Sequence, residues 1–164
     1  MESSGNFNST PELDYERWID VVCALCGRYT PGGVEPKTFG GRAGAGNICG
    51  FRTVDLSCNA HSVERTHRDF RFDGMEHYYA IFQMAGQSTV VQNDHTVELA
   101  VGDVALVDAA RNLRFRKEER AVVVSAAAAP VADFPFGIRA GRWLVQAWRN
   151  TCRSALFPSH SGCR

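Results

Sequence analysis

The first amphipathic pattern of the chain lies close to its start. Apolar residues recur there at steps of three and four positions, the spacing of one helix face; they are Leu13, Trp18, Val21, Val22 and Leu25. Residues 9–12 (STPE) supply a capping hydroxyl, a proline and an acidic side chain, all of which favour a helix start. Gly27 follows the last apolar position. The pattern predicts an amphipathic helix that ends at about Cys26.

Beyond this helix the chain changes to short runs rich in Val, Thr, Phe and Tyr, separated by Gly, Asn and Asp. Such runs are typical of antiparallel β structure. The predicted strands cover residues 37–43, 48–57, 60–66, 77–84, 88–92, 96–99 and 104–107. Residues 92–95 (QNDH) form a predicted hairpin tip, and Gly102-Asp103 forms a second turn. The result is a mainly β fold with an N-terminal helix, of the sandwich or barrel type.

Composition agrees with one folded domain. The chain has 164 residues, 45% of them hydrophobic and 22% charged, which is enough apolar material for one core. No apolar run approaches the roughly 20 residues of a membrane helix. Residues 1–12 have neither the basic start nor the hydrophobic stretch of a secretion signal. We therefore expect a cytoplasmic protein that does not enter a membrane.

Charge divides the chain at Ala110. Up to that residue there are 8 basic and 15 acidic side chains, and from Arg111 onward there are 10 basic and 3 acidic ones, giving 18 of each in total. An acidic domain followed by a basic arm is typical of proteins that bind nucleic acid through phosphate contacts. A nucleic-acid-binding tail at residues 111–164 is therefore one of the functions the sequence leaves open.

The stretch from His77 to Ala110 carries a resemblance to a known family. A strand ends at Gly86, a valine-rich hairpin follows, and the Gly102-Asp103 turn leads into an apolar strand. This order resembles the cupin-type barrel of the ligand-sensing domains of AraC/XylS-family transcription regulators. Residues 63–66 (VERT) and the helix that contains Trp18 are similar to the subfamily that regulates aromatic-amine and phenol catabolism. The resemblance covers residues 12–110.

The resemblance implies a fold, a function and partners. The expected fold is a cupin-like, jelly-roll antiparallel barrel. The expected function is that of the effector-sensing and dimerisation domain of a bacterial AraC-family regulator, which is not an enzyme and forms a homodimer. A small molecule, an aromatic compound, is the expected effector, and DNA is contacted only through a separate half with two helix-turn-helix units. The alternative is a stand-alone cupin-fold protein that binds a small molecule or acts as an enzyme.

We expect no metal or other cofactor. Metal-using cupins share a His-x-His and Glu cluster with a later His, and the histidines of this barrel region lack that spacing; they are His61, His67, His77 and His95. Cys23 and Cys26 are spaced like half of a zinc site, but they fall within the predicted helix and lack a second close pair. Buried, unreactive thiols are the favoured interpretation.

Strand 77–84 supplies most of the candidate ligand-binding residues. Because side chains alternate along a strand, one face carries a mixture of aromatic and polar groups, as a pocket does; these are His77, Tyr79, Ile81 and Gln83. The alternative places Tyr79 and Gln83 on the solvated outer face of the barrel.

Two arginines complete the candidate set. Arg52 and Arg65 fall on predicted neighbouring strands, where they could bind a carboxylate with paired hydrogen bonds. The alternative is that they form structural ion pairs with Glu64, Asp55 or Asp69.

The domain prediction follows from these patterns. Residues 1–10 are a disordered leader, residues 11–110 are the helix and the cupin-like domain, and residues 111–164 are an atypical basic tail. The tail is rich in Arg, Ala, Pro and Ser, which is typical of a GC-rich gene translated out of frame. Residues 134–140 (FPFGIRA) can be encoded so that the next frame reads SHLGFEP, which resembles the family after its barrel. We therefore expect a frameshifted end, an incomplete barrel and no DNA-binding half.

Overall fold

The structure is a computed structural model that describes residues 10–48, 51–75, 78–117 and 123–129. These residues form two helices, α1 (Tyr15–Cys26) and α2 (His67–Asp73). They also form ten strands: β1 (Thr30–Gly32), β2 (Gly41–Ile48), β3 (Phe51–Cys58), β4 (Ser62–Arg65), β5 (Tyr78–Ala85), β6 (Ser88–Gln92), β7 (His95–Leu99), β8 (Val104–Asp108), β9 (Leu113–Arg116) and β10 (Val123–Ala129). The predicted mainly β fold with an N-terminal helix is confirmed.

The strands form two antiparallel sheets of five strands each. The first has the order β1-β4-β9-β6-β7, and the second has the order β2-β3-β10-β5-β8. Among the described residues the two sheets share no strand, so they face each other as an open double layer and do not close into one barrel. The architecture is the cupin-like, incomplete arrangement that the sequence predicts. None of the helices in these residues is long and apolar enough to cross a membrane.

Helix α1 begins later than the sequence predicts. Its N-cap is Asp14, whose carboxylate accepts a hydrogen bond from the backbone N–H of Arg17 at 2.9 Å. The preceding residue, Leu13, pairs its backbone with Gly41 of β2, and this extended pairing prevents the helix from starting at residues 9–12. The buried face then repeats every fourth position; it consists of Trp18, Val22 and Cys26.

Trp18 attaches α1 to the second sheet. Its indole Nε1–H donates to the carbonyl of Arg42 at 3.3 Å and to that of Ser57 at 3.2 Å. Its ring packs edge-on against Phe39, with 5.7 Å between centroids. A Cβ on Gly41 would lie 2.6 Å from Cδ1 of the indole, so only glycine allows β2 to approach this closely. The side chain is 1% exposed.

The turns between strands agree with the sequence prediction. Asn93 takes a positive φ of 53° between β6 and β7, and Gly102 takes a φ of 88° before β8, as the hairpin and the Gly-Asp turn require. Among the elements not predicted before Ala110 are a strand and a helix. One is β1 beside β4, and the other is α2, which starts after Thr66 within a segment that looks like a surface loop by sequence.

The sheets continue past Ala110, the predicted end of the domain. Strand β9 lies between β4 and β6 in one sheet, and β10 lies between β3 and β5 in the other. The boundary at Ala110 is therefore corrected, because residues 113–116 and 123–129 supply an interior strand to each sheet. Residues 1–9 and the rest of the predicted tail, including residues 134–140, lie outside the described residues, and the frameshift interpretation stays a prediction.

Replacing Trp18 tests how strongly α1 depends on this attachment. Trp18→Ala removes a buried indole and leaves two carbonyls without their donor, so we expect the free energy of unfolding to fall by about 3 kcal/mol or more. Asp20→Ala, on the exposed face of the same helix, should change it by less than about 0.5 kcal/mol. Urea denaturation followed by circular dichroism measures both values. Equal losses in the two variants would contradict this account.

Candidate functional site

An apolar cavity lies between the two sheets. Its volume is about 70 Å³, and strands from both sheets line it together with one end of α1. Aromatic and aliphatic side chains form most of its wall; they are Trp18, Tyr29, Leu56, Tyr79, Ile81 and Phe115. Because the wall is apolar, the cavity favours an apolar group over a cluster of water molecules.

The cavity opens on one side into a groove. Ser88, Arg116 and Lys117 border both spaces, so they form what we call the mouth. The groove has a volume of about 730 Å³ and also contains His61, Glu98 and Asp103. At the mouth the Ser88 hydroxyl donates to Oε1 of the buried Gln83 at 2.6 Å. The groove and the apolar cavity are therefore adjacent, with these three residues between them.

Lys117 is the cationic group at this mouth. Its backbone N–H donates to the carbonyl of His61 at 3.0 Å, which fixes the main chain beside β4. Its ammonium donates to the carbonyl of Cys58, and the Cys58 thiol sulfur lies 3.7 Å from Nζ. Burial lowers the pKa of Lys117 from its ordinary value, and the contact with Cys58 offsets only part of this effect.

A buried ion pair stands behind the opposite end of the cavity. Arg65 on β4 is 1% exposed and forms two parallel hydrogen bonds to Asp73, of 2.6 and 2.8 Å. Two further N–H groups donate to the carbonyls of Ala109 at 2.8 Å and of Arg28 at 3.0 Å. The guanidinium also lies over the ring of Tyr29, 5.5 Å from its centroid. The charge of Arg65 is thus satisfied within the protein.

Asp73 is ionised in this pair. Burial by itself raises the pKa of Asp73, but hydrogen bonds from Arg65 and from the backbone N–H groups of Arg28 and Met75 outweigh it and lower the pKa to about 2. The pair needs Gly27 beside it, at the end of α1. That residue has a φ of 103°, and a Cβ there would lie 3.0 Å from both Arg65 and Asp73.

Cys26 and Tyr79 of the cavity wall are held in their neutral form. Burial raises the pKa of the Cys26 thiol to about 12, an effect that Arg65 only partly opposes. Burial also raises the pKa of Tyr79, whose hydroxyl donates to the carbonyl of Cys26 at 2.9 Å. At neutral pH neither group supplies the anion that a nucleophile or a base requires. The described residues contain no group of three or more His, Cys, Asp or Glu side chains arranged to hold a metal ion.

The structure places the predicted residues of strand 77–84 as follows. Tyr79 and Ile81 line the cavity, and each is 3% exposed. Gln83 is fully buried and binds Ser88 at the mouth and the carbonyl of Ala85. The alternative in which Tyr79 and Gln83 lie on a solvated outer face is therefore wrong. His77 lies outside the described residues.

The two candidate arginines do not come together. Arg52 is exposed on β3 in one sheet, whereas Arg65 is buried on β4 in the other. The prediction that they lie on neighbouring strands and bind one carboxylate is wrong. Arg65 forms a structural ion pair, as the alternative held, but its partner Asp73 was not among the acids considered.

Several wall residues were missed from the sequence. Trp18, Tyr29 and Cys58 come from three separate elements, and no local pattern connects them. Phe115 and Lys117 could have been found, because alternation along β9 places Leu113 and Phe115 on the inner face and Arg114 and Arg116 on the outer one. Assigning residues 111–164 to a tail outside the domain concealed this signal.

Two antiparallel sheets around an apolar cavity define a cupin-like domain. The sequence model of the AraC-binding-like domain matches residues 20–125. The chain therefore belongs to the AraC-binding-like domain family. The match extends through β9, so the matched region includes residues 111–116.

The fold is similar to that of a solved transcriptional activator. The AraC-like transcriptional activator CuxR superposes with a TM-score of 0.53 at 18% sequence identity, over 73% of this chain and 47% of CuxR. This chain thus spans about half the length of CuxR. The EutQ protein of Clostridium difficile gives a TM-score of 0.43 at 8% identity, over 59% of this chain and 72% of EutQ. A cupin 2 conserved barrel domain protein from Rhodopseudomonas palustris gives 0.36 at 12% identity, over 73% and 78%.

The buried and exposed arginine pairs offer a matched test. Asp73→Asn leaves the charge of Arg65 buried without its counter-ion, so we expect a loss of about 3 kcal/mol in unfolding free energy. Glu64→Gln breaks the pair with Arg114, which has a similar distance of 2.7 Å but side chains that are 36% and 43% exposed. Its expected cost is below about 1 kcal/mol. Chemical denaturation measures both, and a larger loss for Glu64→Gln would contradict the structural role of Arg65.

Proposed function

We propose that this domain is the effector-sensing domain of a bacterial AraC-type transcription regulator and that its effector is a small aromatic molecule bound between the two sheets. The observation that carries the proposal is the apolar cavity with its open mouth. Membership in the AraC-binding-like family supports a sensing role, and the aromatic wall supports an aromatic ligand, because rings pack favourably edge-on and in offset stacks.

The size of the cavity connects binding to a structural change. An apolar protein cavity of about 150 Å³ holds benzene. That volume is roughly twice the volume of the cavity between the two sheets. A ring therefore enters only when a wall group moves, and the side chain of Lys117 can withdraw into the groove. A ligand that binds one arrangement better than the other shifts the population toward it. This is the property that a sensor needs.

The change has a direct route into the sheets. Lys117 follows β9, and its backbone is bonded to His61 just before β4. Strand β9 pairs with both β4 and β6, so a shift at Lys117 reaches three neighbouring strands. In the regulator this shift alters how the domain contacts its DNA-binding half. The coupling is reciprocal, so DNA occupancy also changes effector affinity.

We infer a binding role in place of catalysis. Two groups of the wall that could become a nucleophile or a base, Cys26 and Tyr79, are protonated at neutral pH because burial raises their pKa. A sensor needs only a ligand-dependent equilibrium, which an apolar wall and one cation supply. We further propose that the domain acts in the cytoplasm as a homodimer, and that DNA is read by a separate half of the regulator.

A cavity-filling variant tests ligand binding. Ile81→Phe enlarges a side chain of the wall, so we expect the affinity for phenol, benzamide and benzoate to fall about tenfold or more. Ala80→Val changes the next residue of β5, which packs with Phe82 and Val104 away from the cavity, and should bind as the unaltered protein does. Isothermal titration calorimetry measures the affinities. The proposal fails if none of the three compounds binds, or if both variants weaken binding equally.

Self-association is tested on the complete chain. We expect light scattering to give twice the mass of one chain at micromolar concentrations, with dissociation on dilution. A single-chain mass at every concentration would refute the homodimer while leaving the ligand-binding result unaffected.

A further inference from the structure

Lys117 is a partly buried cation at the mouth of the cavity. Four arginines of the described residues have a carboxylate partner; these pairs are Arg28 with Asp69, Arg65 with Asp73, Arg111 with Asp108, and Arg114 with Glu64. None of the ion pairs found in that part of the chain includes Lys117. Within residues 10–48, 51–75, 78–117 and 123–129, its partly buried ammonium contacts only the neutral carbonyl and thiol of Cys58.

This arrangement is unfavourable for the domain without a ligand. A partly buried ammonium loses hydration, and a carbonyl dipole compensates less than a carboxylate does. Burial also lowers the pKa of Lys117, which shows that its charged form is disfavoured in this position. A ligand that brings a negative charge to the mouth restores the missing interaction, and hydrogen bonds between two charged groups are the strong ones.

We propose that Lys117 binds the anionic head group of the effector, so that the site selects a small monocarboxylate whose apolar body occupies the cavity. This inference rests on the proposed function, because it requires the cavity to be a ligand site. Lys117 is then the residue that determines the charge of the ligand. Its side chain moves because its ammonium exchanges the Cys58 carbonyl for the carboxylate of the ligand.

The other groups at the mouth do not fit this role. The Ser88 hydroxyl already donates its hydrogen to Gln83, so it has no donor left for a carboxylate. Arg116 is exposed, and water screens its charge. Glu98 and Asp103 line the groove on the side of β7 and β8, and they disfavour an anion that remains there. The carboxylate is therefore best placed at Lys117.

Paired probes separate charge from shape. Benzoate and benzamide have the same ring and nearly the same head group, but only benzoate is charged, and butyrate and butyramide form a shorter pair. We expect the unaltered protein to bind each carboxylate about tenfold more tightly than its amide, as an interaction between charged groups of this kind gives. Isothermal titration calorimetry on the complete chain measures all four affinities.

Three variants test the residue. Lys117→Met keeps the length of the side chain and removes its charge, so the tenfold preference should disappear while the amides still bind. Lys117→Arg should retain the preference. Arg114→Met removes a charge from the outer face of β9, in the pair with Glu64, and should also leave the preference unchanged. Thermal unfolding of each variant confirms that it is folded, and Lys117→Met should be at least as stable as the unaltered protein.

The outcomes distinguish this inference from the function on which it rests. If no probe binds, both the sensing proposal and the role of Lys117 are overturned. If the unaltered protein binds carboxylates and amides equally, or if Lys117→Met keeps the preference, the cavity remains a ligand site and the role of Lys117 is wrong. Loss of the preference in Lys117→Met alone, with Arg114→Met unchanged, supports the inference.

Discussion

Arg65 connects the segments that meet at the inner end of the domain. It brings a charge into the interior, which costs several kcal/mol unless that charge is paired and hydrogen-bonded. Its bonds to Asp73, Ala109 and Arg28 satisfy this condition, and they join β4 to the end of α2, to the turn after β8 and to the segment after α1. The position of each segment relative to β4 therefore depends on this one guanidinium.

The two ends of the cavity each carry a positive charge, and the partners of these two charges differ. At the inner end the positive charge of Arg65 is neutralised by Asp73, and Gly27 leaves the space that the pair requires. At the mouth the positive charge of Lys117 contacts Cys58, and the ion pairs found among the described residues do not include it. A fully paired charge resists rearrangement, whereas a poorly paired one gains by changing partner. The inner end thus acts as a fixed support and the mouth as the part that responds to a ligand.

Local patterns along the chain predicted the local structure well. The hairpin around Asn93 and the turn at Gly102 depend on backbone conformations that these residues adopt easily, and both are present. Alternation along β5 also grouped Tyr79 and Ile81 on one face of the strand, and the structure shows that this face lines the cavity. The start of α1 was misjudged because the pairing of Leu13 with Gly41 is a long-range contact.

Long-range contacts account for the other differences. Arg65 was a candidate binding residue by sequence, but its partner Asp73 reaches it only because α2 reverses the direction of the chain. A segment of seven residues of mixed character does not predict a helix. Lys117 was missed because the change of charge at Ala110 was interpreted as the end of the domain. In the structure β9 is an interior strand, and its basic residues alternate with the buried Leu113 and the inward-facing Phe115.

The central claim is that a small carboxylate binds between the sheets and is held by Lys117. A crystal structure of the domain with benzoate tests it most directly. The account predicts the ring in the cavity beside Tyr79 and Phe115, with the carboxylate within hydrogen-bond distance of Nζ of Lys117 and that side chain withdrawn from Cys58. Benzoate bound outside the sheets, with Lys117 still on the Cys58 carbonyl, would contradict it.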